Sequence, residues 1–130
     1  MKKLCLVSLA LLVLAACSDG GSDDPVDIVY AAGSVHINGV YVTCYWKDGV
    51  LHTLTTEPSN GRAMAVADSS VYVASTVNNG GMTKIVCWKD GVLHTVIDEH
   101  SYALSAMSVV GSDIYIAGTW GGQEAFCFKN

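Results

Sequence analysis

The segment Tyr45-Trp46-Lys47-Asp48-Gly49-Val50-Leu51-His52-Thr53-Leu54 returns 42 positions later as Cys87-Trp88-Lys89-Asp90-Gly91-Val92-Leu93-His94-Thr95-Val96. A second segment repeats in the same register as Val29-Tyr30-Ala31-Ala32, Val71-Tyr72-Val73-Ala74 and Ile114-Tyr115-Ile116-Ala117. A fixed period of this length means copies of one supersecondary unit, each too small to bury its own apolar face and therefore stacked against its neighbours. A third, partial copy of the Trp segment, Cys127-Phe128-Lys129-Asn130, ends the sequence inside the motif.

Within a unit, apolar and polar residues alternate and β-branched residues are frequent, which argues for short strands rather than helices. The most complete copy predicts four strands over 63–68, 70–76, 83–89 and 92–98. The first copy starts at its second strand (28–32), and the third supplies strands over 104–110, 113–119 and 125–129. Tight turns are expected at Asp68-Ser69, at Gly111-Ser112-Asp113, and at the Asp-Gly pairs Asp48-Gly49 and Asp90-Gly91. Asp-Gly between apolar strands is a strong hairpin signal, because both residues accept the positive φ that a primed turn requires.

Four antiparallel strands per 40 to 43 residues match one blade of a β-propeller. The Val-Tyr-Val-Ala and Tyr-Trp-Lys-Asp-Gly segments resemble bacterial lipoproteins with kelch-like β-propeller repeats. The resemblance implies an all-β fold, a partial β-propeller of about two and a half four-stranded antiparallel blades: a partial blade over 27–62, a full one over 63–102 and a partial one over 103–130. Closed propellers hold about four to eight blades. Ten strands therefore predict either a truncated gene, the favoured expectation, or a homo-oligomer whose copies complete the ring.

Lys2 and Lys3 precede an apolar run from Leu4 to Leu14, followed by Leu14-Ala15-Ala16-Cys17. The run is too short to span about 30 Å of hydrocarbon and has the layout of a secretory signal peptide over residues 1–16. Its end resembles the lipobox of bacterial lipoproteins, which implies cleavage between Ala16 and Cys17 and lipidation of Cys17. Two or more acyl chains give stable anchoring, so the membrane is an expected partner. Residues 17–26, rich in Ser, Gly and Asp, cannot bury enough apolar surface to order themselves and read as a flexible acidic tether. Ser18 lacks the aspartate associated with inner-membrane retention, and the acidic run resembles surface-export signals. The expected location is the outer membrane of the cell envelope, facing either the periplasm or the cell surface.

The sequence beyond residue 16 carries five basic and twelve acidic side chains. Nucleic acid is excluded as a partner, because binding it needs clustered Lys and Arg to displace counterions. Three cysteines remain after Cys5 and Cys17, namely Cys44, Cys87 and Cys127. Their repeat-related positions are expected to be too far apart for disulfides, so all three read as small buried hydrophobes. No Cys-x-x-Cys spacing, phosphate loop or nucleophile elbow is present, and neither a cofactor nor a metal is expected.

Trp46, Trp88 and Phe128 share one repeat position, as do Tyr30, Tyr72 and Tyr115; repetition with Phe tolerated suits packing between units. His52 and His94 are repeat-equivalent and are expected on the outermost strand. Recognition falls more often to loops on a rigid scaffold than to the scaffold itself. The connections between second and third strands, and from one unit to the next, carry non-repeating polar and aromatic residues. His36, Arg62, Asn78, Asn79, His100, Tyr102, Trp120 and Gln123 are the candidate ligand face, expected on loops. The expected function is a non-enzymatic binding module for an extracellular glycan or protein. A fragment of a longer propeller-type hydrolase or lyase, and a self-assembling structural lipoprotein, are the alternatives.

Overall fold

The computed structural model describes residues 28–97, 102–121 and 123–130; Ala16, Cys17, the tether and His100 lie outside the described residues. Ten strands form three antiparallel meanders. The N-terminal sheet holds β1 (Tyr30–Ile37), β2 (Val40–Lys47) and β3 (Val50–Thr53). The central sheet holds β4 (Ser59–Ala67), β5 (Ser70–Asn79), β6 (Met82–Lys89) and β7 (Val92–Ile97). The C-terminal sheet holds β8 (Tyr102–Val110), β9 (Asp113–Trp120) and β10 (Glu124–Lys129). The fold is all-β, and the strands read from the repeat are all present.

Two-residue turns set the meanders. Both turn residues lie at positive φ in Asn38-Gly39 (51°, 88°), Asp48-Gly49 (49°, 79°), Asp68-Ser69 (49°, 64°), Gly80-Gly81 (60°, 88°) and Asp90-Gly91 (51°, 82°). These are the angles of the primed hairpin turns, whose twist continues that of the flanking strands. Outside glycine, the residues that accept this region here are Asn, Asp and Ser, short side chains that bond locally.

The repeated Trp-Lys-Asp-Gly segment is consumed by this scaffold. In the first copy, the Val29 N–H donates to Asp48 Oδ1 (2.9 Å) while the Asp48 N–H donates to Val29 O (2.9 Å). The same clasp recurs between Val71 and Asp90, at 2.8 Å for each bond. In the third copy Asn130 keeps the backbone half, donating to Ile114 O at 3.1 Å. The preceding lysines, Lys47, Lys89 and Lys129, lie 5.7, 5.4 and 5.7 Å from the ring centroids of Tyr30, Tyr72 and Tyr115. Each Lys–Tyr pair is directly cross-strand, so the segment stitches the third strand of a unit to its second.

The sheets stack through their faces. Alternation sends Ala63, Tyr72, Ala74, Ile85 and Cys87 of the central sheet to one side, where they meet Leu104, Ile114, Ile116 and Phe128 of the C-terminal sheet. On the other side Met64, Val71 and Val73 meet Tyr30, Ala32, Tyr45 and Leu54 of the N-terminal sheet and the segment after it. Trp88 is buried with Val77 and Val86 against Leu54, the packing role expected for it. Ile85, Ile114 and Ile116 have no exposed surface, and each such side chain contributes about 1.5–3 kcal/mol by leaving water. Gly61 lets β4 approach β1 closely, since a Cβ there would run into the backbone of Gly33.

β4 begins at Ser59 and β8 at Tyr102. Two expectations need correction. Cys44 and Cys87 are buried, but Cys127 is exposed, since no sheet among the described residues packs on its face. The candidate residues placed on loops are mostly on strands. His36 lies in β1, Arg62 in β4, Asn78 and Asn79 in β5, Tyr102 in β8 and Trp120 in β9. The ladders run up to two-residue turns and leave little chain to loop.

Candidate binding surface

The end of the meanders where second strands turn into third strands gathers the non-repeating residues. His36 and Tyr41 face each other across β1 and β2 in register, both exposed, with ring centroids 5.0 Å apart and planes tilted by 58°. The tight Asn38-Gly39 turn between their strands fixes that pairing.

Arg62 owes its position to a bulge. In the β4–β5 ladder Gly61 pairs with Ser75 and Ala63 with Ala74, leaving Arg62 without an opposite residue. A bulge of this kind turns a side chain out of the regular alternation, and Arg62 is exposed. Among the described residues it makes no hydrogen bond or ion pair, in contrast with the tyrosine-bound Lys47, Lys89 and Lys129. The C-terminal sheet repeats the irregularity between Leu104 and Ala106, where Ser105 takes the place of Arg62.

Hydroxyl groups tie the N-terminal sheet to the central one beside Arg62. The Gly61 N–H donates to Ser34 Oγ at 3.0 Å. Ser59 Oγ accepts from both the Thr43 N–H and Thr43 Oγ1, each at 2.8 Å, in a buried position. Asn78 belongs to the same end: its N–H donates to Pro58 O (3.3 Å) and its Oδ1 accepts from Thr83 Oγ1 (2.9 Å). His36, Tyr41, Arg62 and Asn78 lie at the same end of these two sheets, and among the described residues no contact joins the His36–Tyr41 pair to Arg62 or Asn78.

Trp120 and Gln123 lie at the corresponding end of the C-terminal sheet. Trp120 is 53% exposed, and the Gln123 N–H closes the turn onto its carbonyl at 3.2 Å. Among the described residues no contact brings this pair to His36, Arg62 or Asn78. Asn79 and Tyr102 pair through their backbones with Met82 and Trp120; their side chains, like His100, lie outside what is described.

An imidazole, a phenol, a guanidinium, an amide and an indole can stack on a ring and exchange hydrogen bonds with hydroxyl or carboxylate groups. Among the described residues no group of three His, Cys, Asp or Glu side chains could hold a metal ion. The repeated histidines sit on edge strands as expected: His52 of β3 stacks on Tyr45 at 4.7 Å, and His94 Nδ1 of β7 bonds Thr95 Oγ1 at 2.8 Å. Sequence reasoning missed Tyr41, Ser34 and the Thr43–Ser59 pair. The available signal was Gly61, since an isolated glycine in a strand pattern marks a bulge or a close backbone approach. The chain matches no family model, no curated protein and no solved structure with which it was compared.

Proposed function

We propose that this chain is a lipid-anchored, non-enzymatic β-propeller module of the bacterial outer membrane that binds an extracellular glycan or protein. Cys17 carries the anchor, residues 17–26 the tether, and the stacked sheets serve as a scaffold that presents the strand-end surface. The observation that carries the reading is the position of Arg62: an exposed cation on a bulge with no side-chain partner among the described residues, in a chain where the repeated lysines are occupied by tyrosine rings. At the same end of the sheets lie His36, Tyr41 and Asn78, side chains that suit a ligand bearing hydroxyl and carboxylate groups. Trp120 offers an aromatic platform on the next sheet.

The test uses the full chain, expressed with its own leader and purified in detergent, on arrays of glycans and of envelope and host-surface proteins. Binding to a defined set of ligands is expected, weakened about tenfold or more by Arg62→Ala, since a hydrogen bond to a charged group contributes about 1.5–3 kcal/mol. A folded protein that bound nothing on either array would overturn the reading. The anchor is tested separately by feeding cells an alkyne-tagged fatty acid: the label is expected on the wild type and absent from Cys17→Ala.

A further inference from the structure

The buried polar side chains among the described residues are Thr43, Ser59, Ser75 and Thr76, and the first three belong to one seam. Thr43 bonds Ser59 between the N-terminal and central sheets. The alternation of β5 puts Ser75 on the same side as Val71 and Val73, which pack against the N-terminal sheet. Ser59 and Gly61 share that side of β4, with Gly61 directly opposite Ser75. Ser59 and Ser75 are therefore diagonal neighbours, about 7–8 Å apart in a regular ladder.

Each hydroxyl has one proton to donate and lone pairs to accept, and at this seam the count does not close. Thr43 and Ser59 hold two hydroxyl protons between them, and a single bond of 2.8 Å joins their oxygens. Whichever group donates in that bond, the other keeps a proton with no acceptor among the described residues. Ser75 Oγ, with no exposed surface, has no partner at all. Unpaired buried hydroxyls are costly, and protein interiors pair nearly all of them, with protein groups or with ordered water. A third group lies close by: a Cβ on Gly61 would run into Gly33 O, which brings this carbonyl to the side that Ser75 faces.

The seam between the central and C-terminal sheets closes the same layer without polar side chains. At the repeat positions of Thr43, Gly61 and Ser75 it has Ile85, Leu104 and Gly118, and Ile85 and Leu104 are buried in the apolar core. Gly118 leaves no room for a hydroxyl there, since a Cβ would strike Ala103 O and the Phe126 ring. The N-terminal seam thus has fewer side-chain atoms in this layer, and oxygen where the other has carbon. We propose that it binds one buried water, held by Ser75 Oγ, by the spare proton of the Thr43–Ser59 pair and by Gly33 O. The water accepts that proton and the Ser75 hydroxyl proton and donates to the carbonyl, about three bonds being the usual number for a buried water. The site is internal and independent of the ligand proposed above.

Structure and stability of the full chain in detergent test it. A crystal structure is expected to show a water about 2.5–3.0 Å from Ser75 Oγ and from Thr43 Oγ1 or Ser59 Oγ. In urea unfolding, Ser75→Ala removes a partner of the water and is expected to lower the folding equilibrium constant about threefold to tenfold, whereas deleting a hydroxyl that bonds nothing would raise it. Ser59→Ala and Ser75→Ala are expected to be coupled through the water, so the double variant loses less than the product of the two single losses. Thr43→Val takes the place of Ser59→Ala in that cycle if the latter does not fold. A Ser75→Ala variant more stable than the wild type, or strictly additive effects, overturns the proposal. A crystal structure in which no water meets Ser75 Oγ, or in which Ser75 Oγ bonds Ser59 or Thr43 directly, overturns it too.

Discussion

The central and C-terminal sheets carry the same two segments, yet the molecule treats them differently. Cys87 is buried among Ala74, Ile85 and Tyr72, whereas Cys127, at the same repeat position, is exposed. The three strands of the C-terminal sheet match the first three of the central sheet; what differs is that, among the described residues, the central sheet has a neighbour on each face and the C-terminal sheet has one. In a stacked repeat, then, the environment of a side chain is decided by the next unit rather than by its own strand. The polar strand ends obey the opposite rule, since Arg62 and Ser105 occupy equivalent bulges whatever lies beside them.

The cysteines give the widest contrast. Burial pushes the Cys44 and Cys87 thiols up to about 11 from an ordinary 9.0. The thiolate is the nucleophile, so at pH 8 ionisation alone slows alkylation about a hundredfold, and loss of access should take the total to about a thousandfold. Dilute protein treated with iodoacetamide is expected to be modified at Cys127 first, as read by peptide mass spectrometry. Protection at Cys87 should fall as the pH rises, because the thiolate fraction grows about tenfold per pH unit until about 11. The same sign governs folding. Burial favours the neutral thiol, so its contribution to stability is intact below the ordinary 9.0 and lost as the pH climbs through about 11. Equal labelling of Cys87 and Cys127 would mean that the C-terminal sheet does not cover the central one.

Truncating the equivalent tyrosines sharpens the comparison. Tyr72 is 5% exposed in the core, whereas Tyr115 is only partly buried on the face of the C-terminal sheet turned away from that core. Tyr72→Ala is expected to cost about 3–5 kcal/mol, the range for losing a buried aromatic, and Tyr115→Ala about 1 kcal/mol. Urea unfolding of dilute protein followed by circular dichroism measures both. Similar losses would show Tyr115 to be covered.

The aspartate clasp should give a smaller graded effect. Asp90 Oδ1 accepts from the part-buried Val71 N–H, so Asp90→Ala is expected to cost about 1–3 kcal/mol. Asp48 makes the same bond in an exposed position, where water competes, and Asp48→Ala should cost less. Asp90→Asn should lie near the wild type, since asparagine retains an acceptor and tolerates the positive φ of 51° found here. Unfolding midpoints of the three variants check the order Asp90→Ala, Asp48→Ala, Asp90→Asn.

These outcomes bear on what a repeat makes legible. Strand number, hairpin turns and the structural fate of Trp88, Asp90 and His94 could be read from periodicity, because each repeated residue keeps the same place in its hairpin from copy to copy. The burial of Cys127 could not, since it depends on a surface beyond its own unit. Strand ends were hidden for another reason. His36, Asn78 and Trp120 looked like loop residues because they are polar or fall outside the repeat, but backbone ladders do not consult side-chain polarity and continue until a residue pair can turn. Arg62 could be placed on the correct end from topology; its bulge is a register shift between two strands, to which the lone Gly61 was the single pointer.

The smallest expected effect lies at the edge of the C-terminal sheet. Lys129 Nζ bonds Asp113 Oδ2 at 2.9 Å, with side chains 55 and 40% exposed. The hydrogen bond to Asp113 and its charge raise the Lys129 pKa, as does the nearby Tyr115. Water screens an exposed pair, and holding two side chains in one geometry costs rotamer entropy, so such bridges add little to stability. Asp113→Asn is expected to leave the unfolding midpoint unchanged within error in dilute protein. A partner covering the pair would exclude water from it, so a concentration-dependent effect of Asp113→Asn would place a second copy there, and an effect at every concentration would mean that the pair is buried within a single copy.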